Sequence, residues 1–139
     1  MKQILSFCFL VLFVGGYLLS QPIVQFDKTY GGSGCEDGRS AKQTPDGGYV
    51  MMGRTDSYGA GLNDIYLVKT DENGDVLWTK TYGGMGEEKI GWAMKHNIIL
   101  TKDGGFVIVG YTNSYGNGDY DIFLIKTDIN GDTLWTKTY

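Results

Sequence analysis

The hydrophobic residues that follow residue 25 fall into short runs, which Gly, Asn, Asp or Pro interrupts. Many of these runs are rich in Val, Ile, Thr and aromatic residues, which favour β-strands. No long segment has the 3.6-residue period of an amphipathic helix. The pattern therefore predicts an all-β chain of short strands joined by tight turns. The first predicted strands are Arg39–Gln43, Tyr49–Thr55, Asp64–Thr70 and Val76–Tyr82.

The third predicted strand indicates how the strands must pack. Its four consecutive apolar residues, Ile65–Val68, place apolar side chains on both faces. Such a strand is covered on both sides, and a four-stranded unit with two apolar faces has to stack on further units like itself. We therefore expect four-stranded antiparallel blades of a β-propeller. A stacked β-solenoid is the alternative, although its repeats are usually shorter.

A repeat with an offset of 57 residues accounts for most of the chain. Four segments recur at that offset: Asp46–Val50 as Asp103–Val107, Gly53–Gly59 as Gly110–Gly116, Asp64–Asp71 as Asp121–Asp128, and Leu77–Tyr82 as Leu134–Tyr139. The last element has a third copy, Phe26–Gly32, which lies 52 positions before its next occurrence. The difference of five indicates an insertion between Tyr82 and Asp103.

The repeat predicts how the chain is divided. We expect a signal peptide over residues 1–20, an orphan outer strand over 21–32, a first blade over 33–84, and a second blade with the five-residue insertion over 85–139. Propellers typically have four to eight blades. Two blades and one strand therefore indicate a partial propeller, from a truncated reading frame or a fragment of a longer protein. The alternative is that several copies close a ring by oligomerising.

Glycines mark the predicted turns. Pro fixes φ and Gly accepts positive φ in the Pro45-Asp46-Gly47 turn, and Gly104 follows Asp103 in the second copy. Asn73-Gly74 and Asn130-Gly131 are the favoured pair for a two-residue hairpin, in which both central residues have positive φ. We therefore expect Gly47, Gly74, Gly104 and Gly131 to have structural roles.

These motifs resemble the repeats of secreted bacterial β-propeller proteins, notably surface proteins of Bacteroidetes-like organisms. The segment Thr70–Trp78 is also similar to the tryptophan-docking motif of PQQ-type propellers. By that likeness, Trp78 and Trp135 would be wedges between neighbouring blades. The resemblance covers nearly everything after residue 25. It implies the fold more than the function, because such propellers serve many roles.

The first twenty residues differ from the rest of the chain. A short positive start, Met1-Lys2-Gln3, precedes the apolar run Ile4–Leu19. This anatomy predicts a secretory signal peptide cleaved between Ser20 and Gln21, and hence a secreted, cell-surface or periplasmic protein. An uncleaved membrane anchor is the alternative, although the run is shorter than the roughly 20 residues that span a bilayer. Cys8 lies in this run without a lipoprotein cleavage pattern.

Charge and cysteine content exclude some functions. The formal net charge is −4 and no basic stripe is present, which argues against a nucleic-acid partner. After cleavage the only cysteine is Cys35, so an internal disulfide is impossible. We expect no membrane contact once the leader is removed.

Four long, Gly-rich loops are the expected place for a binding surface. In a four-stranded blade they share one rim, whereas the opposite rim carries tight hairpins. We expect any protein or glycan partner at this rim, because rigid scaffolds carry function on such loops. The alternative is that their Gly and Asp residues merely shape turns. The loops are Gly31–Gly38, Asp56–Asn63, Gly83–Ile90 and Asn113–Tyr120.

Two acidic turns are weak candidates for a calcium site, because Ca²⁺ prefers oxygen ligands at alternating positions. Their glycine is fourth rather than sixth, which does not match the EF-hand loop. We therefore expect neither a metal nor a cofactor. The candidate ligands are Asp71, Asn73 and Asp75, and Asp128, Asn130 and Asp132.

The remaining candidates favour ordinary roles. His96 lacks a partner for general-base catalysis or zinc, and Trp92 is expected to pack, with sugar stacking as the alternative. Cys35 has no nearby histidine in the sequence, which makes a nucleophile unexpected. Arg39 and the Lys80 and Lys137 pair are expected at solvated strand positions. With no Ser-His-Asp set or phosphate loop, we expect a protein that is not an enzyme.

These observations favour a non-enzymatic extracellular interaction module. A fragment of a quinoprotein-like, PQQ-type enzyme is the second hypothesis, but it requires acidic and amide ligands around a central cofactor and metal. A non-functional remnant of a gene is the third hypothesis.

Overall fold

The computed structural model describes residues 26–91 and 97–139. The predicted leader with Ser20 and Gln21 lies outside the described residues, as do Trp92 and His96. The described part of the chain is all-β and contains no helix. The predicted fold class is therefore confirmed.

The first sheet contains four antiparallel strands in the order β1-β2-β3-β4. They are β1 (Glu36–Gln43), β2 (Tyr49–Thr55), β3 (Asp64–Thr70) and β4 (Val76–Tyr82). The bounds of β2, β3 and β4 agree with the sequence prediction. β1 begins three residues before the predicted Arg39, because Glu36, Asp37 and Gly38 also pair with β2.

The second sheet repeats this arrangement with its first strand divided. Its strands are β5 (Glu88–Lys89), β6 (Ile98–Leu100), β7 (Phe106–Thr112), β8 (Asp121–Thr127) and β9 (Thr133–Thr138). Both β5 and β6 pair antiparallel with β7. Together they take the place that β1 has in the first sheet, and the predicted insertion separates them. Neither sheet closes into a barrel, which is consistent with part of a propeller.

The two sheets pack face to face. We call the face of a sheet that is turned toward the following sheet its forward face, and the opposite face its back face. The forward face of the first sheet packs on the back face of the second in one hydrophobic core. A Cβ on Gly110 would lie 3.0 Å from Ile65 Cδ1, so glycine permits the close approach of β3 and β7. The core contains Val50, Met52, Ile65 and Leu67 from the first sheet, and Phe106, Ile108, Phe123 and Ile125 from the second.

Side chains of β4 join the first sheet to the β8–β9 turn of the second. The Trp78 ring packs edge-on against Phe106 with the ring centroids 6.0 Å apart. Lys80 Nζ lies 2.6 Å from Asp132 Oδ1. Tyr82 Oη donates to the carbonyl oxygen of Gly131 at 2.7 Å, and burial raises the pKa of this phenol. An aromatic ring, an ammonium group and a phenol therefore hold the two sheets together.

Residues 26–30 make the same three contacts with the first sheet. Phe26 packs edge-on against Tyr49 with the centroids 5.7 Å apart. Lys28 Nζ lies 2.5 Å from Asp75 Oδ1, and Tyr30 Oη donates to the backbone oxygen of Gly74 at 2.8 Å. No strand is assigned to residues 26–32. Residues 26–32, predicted as part of an outer strand, therefore form no strand. Residues 26–30 contact the first sheet through side chains like those of β4.

The β3–β4 turn differs from the prediction. Gly74 N donates to Asp71 O at 3.2 Å and Asp71 N to Asp75 O at 2.9 Å, so the loop has three residues. Asn73 does not have positive φ, because only glycines do among the described residues. The predicted two-residue turn is therefore wrong. The reason is Asp71, whose Oδ1 accepts the N–H groups of Asn73 and Asp75 at 2.9 and 2.8 Å and stabilises the longer loop.

The β8–β9 turn has the same geometry. Asp128 Oδ1 accepts the N–H groups of Asn130 and Asp132 at 2.9 and 2.8 Å, and the loop again has three residues. The four glycines singled out in the sequence all have positive φ: Gly47 86°, Gly74 78°, Gly104 83° and Gly131 76°.

A lysine fixes the Asp-Gly-Gly turn of each repeat. Lys69 Nζ lies 2.9 Å from Asp46 Oδ2, and hydrogen bonds from Thr44 and Lys69 lower the pKa of Asp46 to about 2. In the second sheet, Lys126 Nζ lies 2.9 Å from Asp103 Oδ1. The aliphatic parts of both lysines lie along the apolar forward faces of their sheets. Their ammonium groups therefore reach the turns at the rim opposite the long loops.

The repeat offers a matched test of the packing. Ile65 is fully buried between the sheets, whereas Ile122 at the same position of the second repeat is 45% exposed. We expect Ile65→Ala to lower the free energy of unfolding by about 2–5 kcal/mol, and Ile122→Ala by about 1 kcal/mol or less. Urea denaturation of dilute protein measures both. Equal losses would contradict the one-sided burial of the second sheet.

Candidate functional site

The long loops of each repeat are joined to one another at one rim. Gly34 N donates to Ser57 Oγ at 2.7 Å, and Tyr58 Oη donates to Gly31 O at 3.0 Å. Cys35 N donates to the Asp56 carboxylate. Side chains of the β2–β3 loop thus hold the loop that precedes β1. We call this end of the two sheets the long-loop rim; it consists of residues 31–38, 56–63, 83–90 and 113–120.

The second repeat forms the same bonds. Gly86 N donates to Ser114 Oγ at 3.0 Å, and Tyr115 Oη donates to Gly83 O at 2.8 Å. Glu87 N donates to the amide oxygen of Asn113 at 2.5 Å. Because both repeats use equivalent donors and acceptors, the rim has a defined shape rather than a set of independent loops.

Backbone hydrogen bonds also connect the rim across the two sheets. Leu62 N donates to Gly86 O at 2.9 Å, and Glu88 N donates to Asn63 O at 2.7 Å. An isolated parallel bridge pairs Asn63 with Glu87. The loop after β2 is therefore fixed to the loop before β5, and the rim is continuous from the first sheet to the second.

Large apolar side chains are exposed on this rim. Aromatic and apolar groups on a rigid support are effective anchors for a partner, because little conformational entropy is lost when they are covered. Two of the tyrosine rings pack on other aromatic rings. Tyr58 packs on Tyr66 and Tyr115 on Phe123, each pair with centroids 5.6 Å apart. The exposed members of the set are Tyr58, Leu62, Met85, Tyr115 and Tyr120.

A charged cluster lies beside these residues. Tyr120 Oη donates to Glu87 Oε2 at 2.7 Å, and Lys89 Nζ lies 4.0 Å from the centroid of the Tyr120 ring. The hydrogen bond from Tyr120, followed by that from Lys89, lowers the pKa of Glu87. The rim therefore presents an anionic and a cationic group next to an aromatic ring.

Below the rim, two carboxyl groups meet between the sheets. Asp64 is 2% exposed and Glu88 is fully buried. A Cβ on Gly83 would collide with Asp64 Oδ1 and Glu88 Oε2, so only glycine fits between them. Burial, and then the hydrogen bond with Glu88, raise the pKa of Asp64 to about 6. Asp64 Oδ1 has no donor among the described residues, and a proton shared with Glu88 would satisfy it.

The sequence interpretation did not single out this pair. Glu88 Oε1 accepts a hydrogen bond from Thr112 Oγ1 at 2.6 Å, and Glu36 Oε1 accepts the equivalent bond from Thr55 at 2.8 Å. The signal was the recurrence of Glu36 as Glu88, four residues after the Tyr-Gly-Gly element. Only the fold shows that Asp64 approaches Glu88 from the other sheet.

The calcium candidates of the two acidic turns serve the turns. Asp71 and Asp128 accept backbone N–H groups, and Asp75 pairs with Lys28. Within residues 26–91 and 97–139, no group of three or more His, Cys, Asp or Glu side chains could hold a metal ion. The two turns lie at the rim opposite the long loops.

Among the other predicted side chains that the structure describes, only Cys35 lies on the long-loop rim. Trp78 lies between the sheets, whereas Trp135 is 42% exposed and stacks with Lys137, whose Nζ lies 5.8 Å from the ring centroid. Arg39 pairs with Asp37. Cys35 is a free, exposed thiol on the rim.

No helix among the described residues has the length and apolar character needed to cross a membrane. The sequence matches no protein-family model, and no curated protein sequence matches it.

The carboxyl pair predicts an unusual dependence of stability on pH. Because the pKa of Asp64 is higher in the folded than in the unfolded chain, this group weakens the fold as the pH rises from about 4 to about 6. Asp64→Asn keeps an acceptor and adds a donor toward Glu88. We expect the variant to match the wild-type chain near pH 4 and to exceed its stability by on the order of 1–3 kcal/mol at pH 7.

Urea denaturation at several pH values measures this difference, with Asp121→Asn, the same position of the second repeat, as the control. If the wild-type chain were more stable than Asp64→Asn at pH 7, the prediction would be wrong. The charged Asp64 carboxylate would then stabilise the folded chain.

Proposed function

We propose that this chain is a secreted or cell-surface β-propeller repeat module that acts by binding, not by catalysis. The proposed ligand is a protein or a glycan, and the proposed binding surface is the long-loop rim. The observation that carries the proposal is the set of exposed aromatic and apolar side chains on loops fixed by repeated hydrogen bonds. Scaffolds of this kind place binding residues on loops between rigid strands.

The side chains that the rim exposes support a binding role. Five large apolar side chains are exposed there, although exposing such groups in one region is costly for a protein without a partner. Tyr120 adds a hydroxyl group and a cation-bearing neighbour, Lys89. Aromatic faces beside polar groups suit both protein side chains and sugar rings, which combine apolar faces with hydroxyl groups.

The chemistry of the titratable groups supports binding over catalysis. Asp64, the carboxyl group whose pKa burial raises to about 6, lies with Glu88 below the rim, where a substrate would not reach it. Oδ1 of Asp71 and of Asp128, the weak metal candidates, accepts backbone N–H groups and so has a structural role in its turn. The resemblance to propeller repeats of bacterial surface proteins points in the same direction. A quinoprotein-like fragment would instead take up quinone and Ca²⁺ from solution, and such uptake would overturn the proposal.

Rim variants test the binding surface. Leu62 and Met85 are exposed, and their side chains form none of the rim hydrogen bonds described above. We expect the double variant Leu62→Ser, Met85→Ser to bind its ligand about tenfold or more weakly with unchanged stability, because two anchors are lost. The probes are arrayed bacterial and host polysaccharides and immobilised extracellular-matrix proteins. The matched control is Leu77→Ser, Leu134→Ser, two equally exposed leucines of β4 and β9.

Equal weakening by both double variants would place the binding surface elsewhere. Failure of the wild-type chain to bind any member of either probe set would contradict a binding role.

Export tests the proposed location. Residues 1–30 fused to an alkaline phosphatase without its own leader should give periplasmic or secreted activity, because the apolar run directs translocation. The processed fusion should begin at Gln21 by N-terminal sequencing. Lys2→Glu should slow export by removing the positive start. A fusion protein that keeps residues 1–20 and stays in the membrane would instead support the uncleaved anchor.

A further inference from the structure

The second sheet has an uncovered forward face. Ile122 is 45% exposed, whereas Ile65, its equivalent in the first sheet, is fully buried. Leu124 is half-buried where Leu67 is fully buried. Nothing among the described residues packs on this face as the second sheet packs on the first. The surface is built to be covered, because its residue types repeat those of a buried face.

The edge of this face carries the same three docking groups that join the two sheets. Trp135, Lys137 and Tyr139 repeat Trp78, Lys80 and Tyr82. Trp135 and Tyr139 are 42% and 66% exposed. In β4 the equivalent groups bind a ring, an aspartate and a glycine carbonyl of the following sheet. The second sheet thus holds an unused copy of a contact whose geometry is already known.

The back face of the first sheet is the matching surface. Its Tyr49 and Tyr66 repeat Phe106 and Phe123 of the back face that is buried in the core. Asp75 and Gly74 repeat the aspartate and the glycine carbonyl that receive Lys80 and Tyr82. A groove of about 400 Å³ runs over this back face, with Tyr30, Met51, Tyr66 and Val68 in its lining.

We propose that a second copy of this chain docks head to tail, with the forward face of the second sheet of one copy on the back face of the first sheet of the next. Lys137 would then meet Asp75 of the second copy, and Tyr139 would donate to its Gly74 carbonyl. The inference rests on the proposed function as a propeller-repeat module and names its partner. Such a contact is heterologous and closes a ring where the rotation permits. Because propellers have four to eight blades, two to four chains would complete one.

Residues 26–30 compete with the second copy. Lys28 and Tyr30 occupy Asp75 and Gly74, and Phe26 occupies Tyr49. The segment is held by one exposed ion pair, one hydrogen bond and one ring contact, and the exposed ion pair contributes little. β9, by contrast, is fixed in a sheet and offers a larger aromatic ring together with an apolar face. Docking therefore requires the segment to leave, and its removal strengthens docking.

Three variants test this arrangement by sedimentation equilibrium of residues 21–139 over a dilution series. A chain that begins at Gly31 should associate about tenfold or more tightly, because the competing segment is absent. Trp135→Ala should weaken association about thirtyfold, as expected for a large aromatic anchor. Leu134→Ala is the matched control, because Leu134 is the exposed neighbour on the other face of β9, and it should leave association unchanged.

A charge reversal tests the head-to-tail direction. Lys137→Glu alone and Asp75→Lys alone should each weaken association, because like charges would meet at every contact. A mixture of the two variants should associate more tightly than either variant alone, because each junction between different variants pairs opposite charges. The result is independent of the rim, whose binding assay uses Leu62 and Met85.

Monomers at every concentration, both for residues 21–139 and for the chain that begins at Gly31, would overturn the proposal. A dimer that Trp135→Ala weakens, but that the mixture of charge variants does not restore, would also overturn it, because that dimer would join two forward faces. Either result leaves the rim-binding and export assays to decide the proposed function separately.

Discussion

All seven residues of β3 are buried, and this constraint determines the rest of the structure. A strand with apolar groups on both faces loses stability on whichever face meets water, so its sheet needs a neighbour on each side. The second sheet covers one face of β3. On the other face Tyr66 is only 7% exposed and packs against Tyr58, and Phe26 packs beside it on Tyr49 of β2. The stacked arrangement follows from the residue pattern of a single strand.

The same contact secures each neighbour. A ring, an ammonium group and a phenol reach from one strand to the turn of the next unit, where glycine leaves room for the ring. A Cβ on Gly74 would lie 2.8 Å from the Phe26 ring, and a Cβ on Gly131 would lie 2.8 Å from the Trp78 ring. The positive φ of these glycines and their lack of a side chain therefore serve one purpose. The turn can fold, and the next unit can dock on it.

The strands could be predicted because their information is local. Turn residues bound β2, β3 and β4 on both sides, and the 57-residue offset supplied a second copy of each. The type of the β3–β4 turn was not predictable from Asn73-Gly74 alone, since the Asp71 carboxylate two residues earlier selects the longer loop. Nor was the meeting of Asp64 and Glu88, because they belong to different sheets and come together only after stacking. The hydrogen bonds between the rim loops could not be predicted either, because only the folded sheets bring those loops together.

The residues that pack the sheets together and the residues exposed at the long-loop rim occupy different parts of each repeat. The faces consist of Val, Ile, Leu and aromatic residues whose positions recur, whereas the rim loops fix their backbones through Ser57, Tyr58 and their equivalents and leave Leu62 and Met85 without a counterpart in the other repeat. The buried Asp64–Glu88 pair lies at the boundary between the two parts. There a buried charge is costly, which raises the pKa of Asp64. The rim end of the sheet contact therefore loses stability as the pH rises toward neutral, whereas the apolar faces do not titrate.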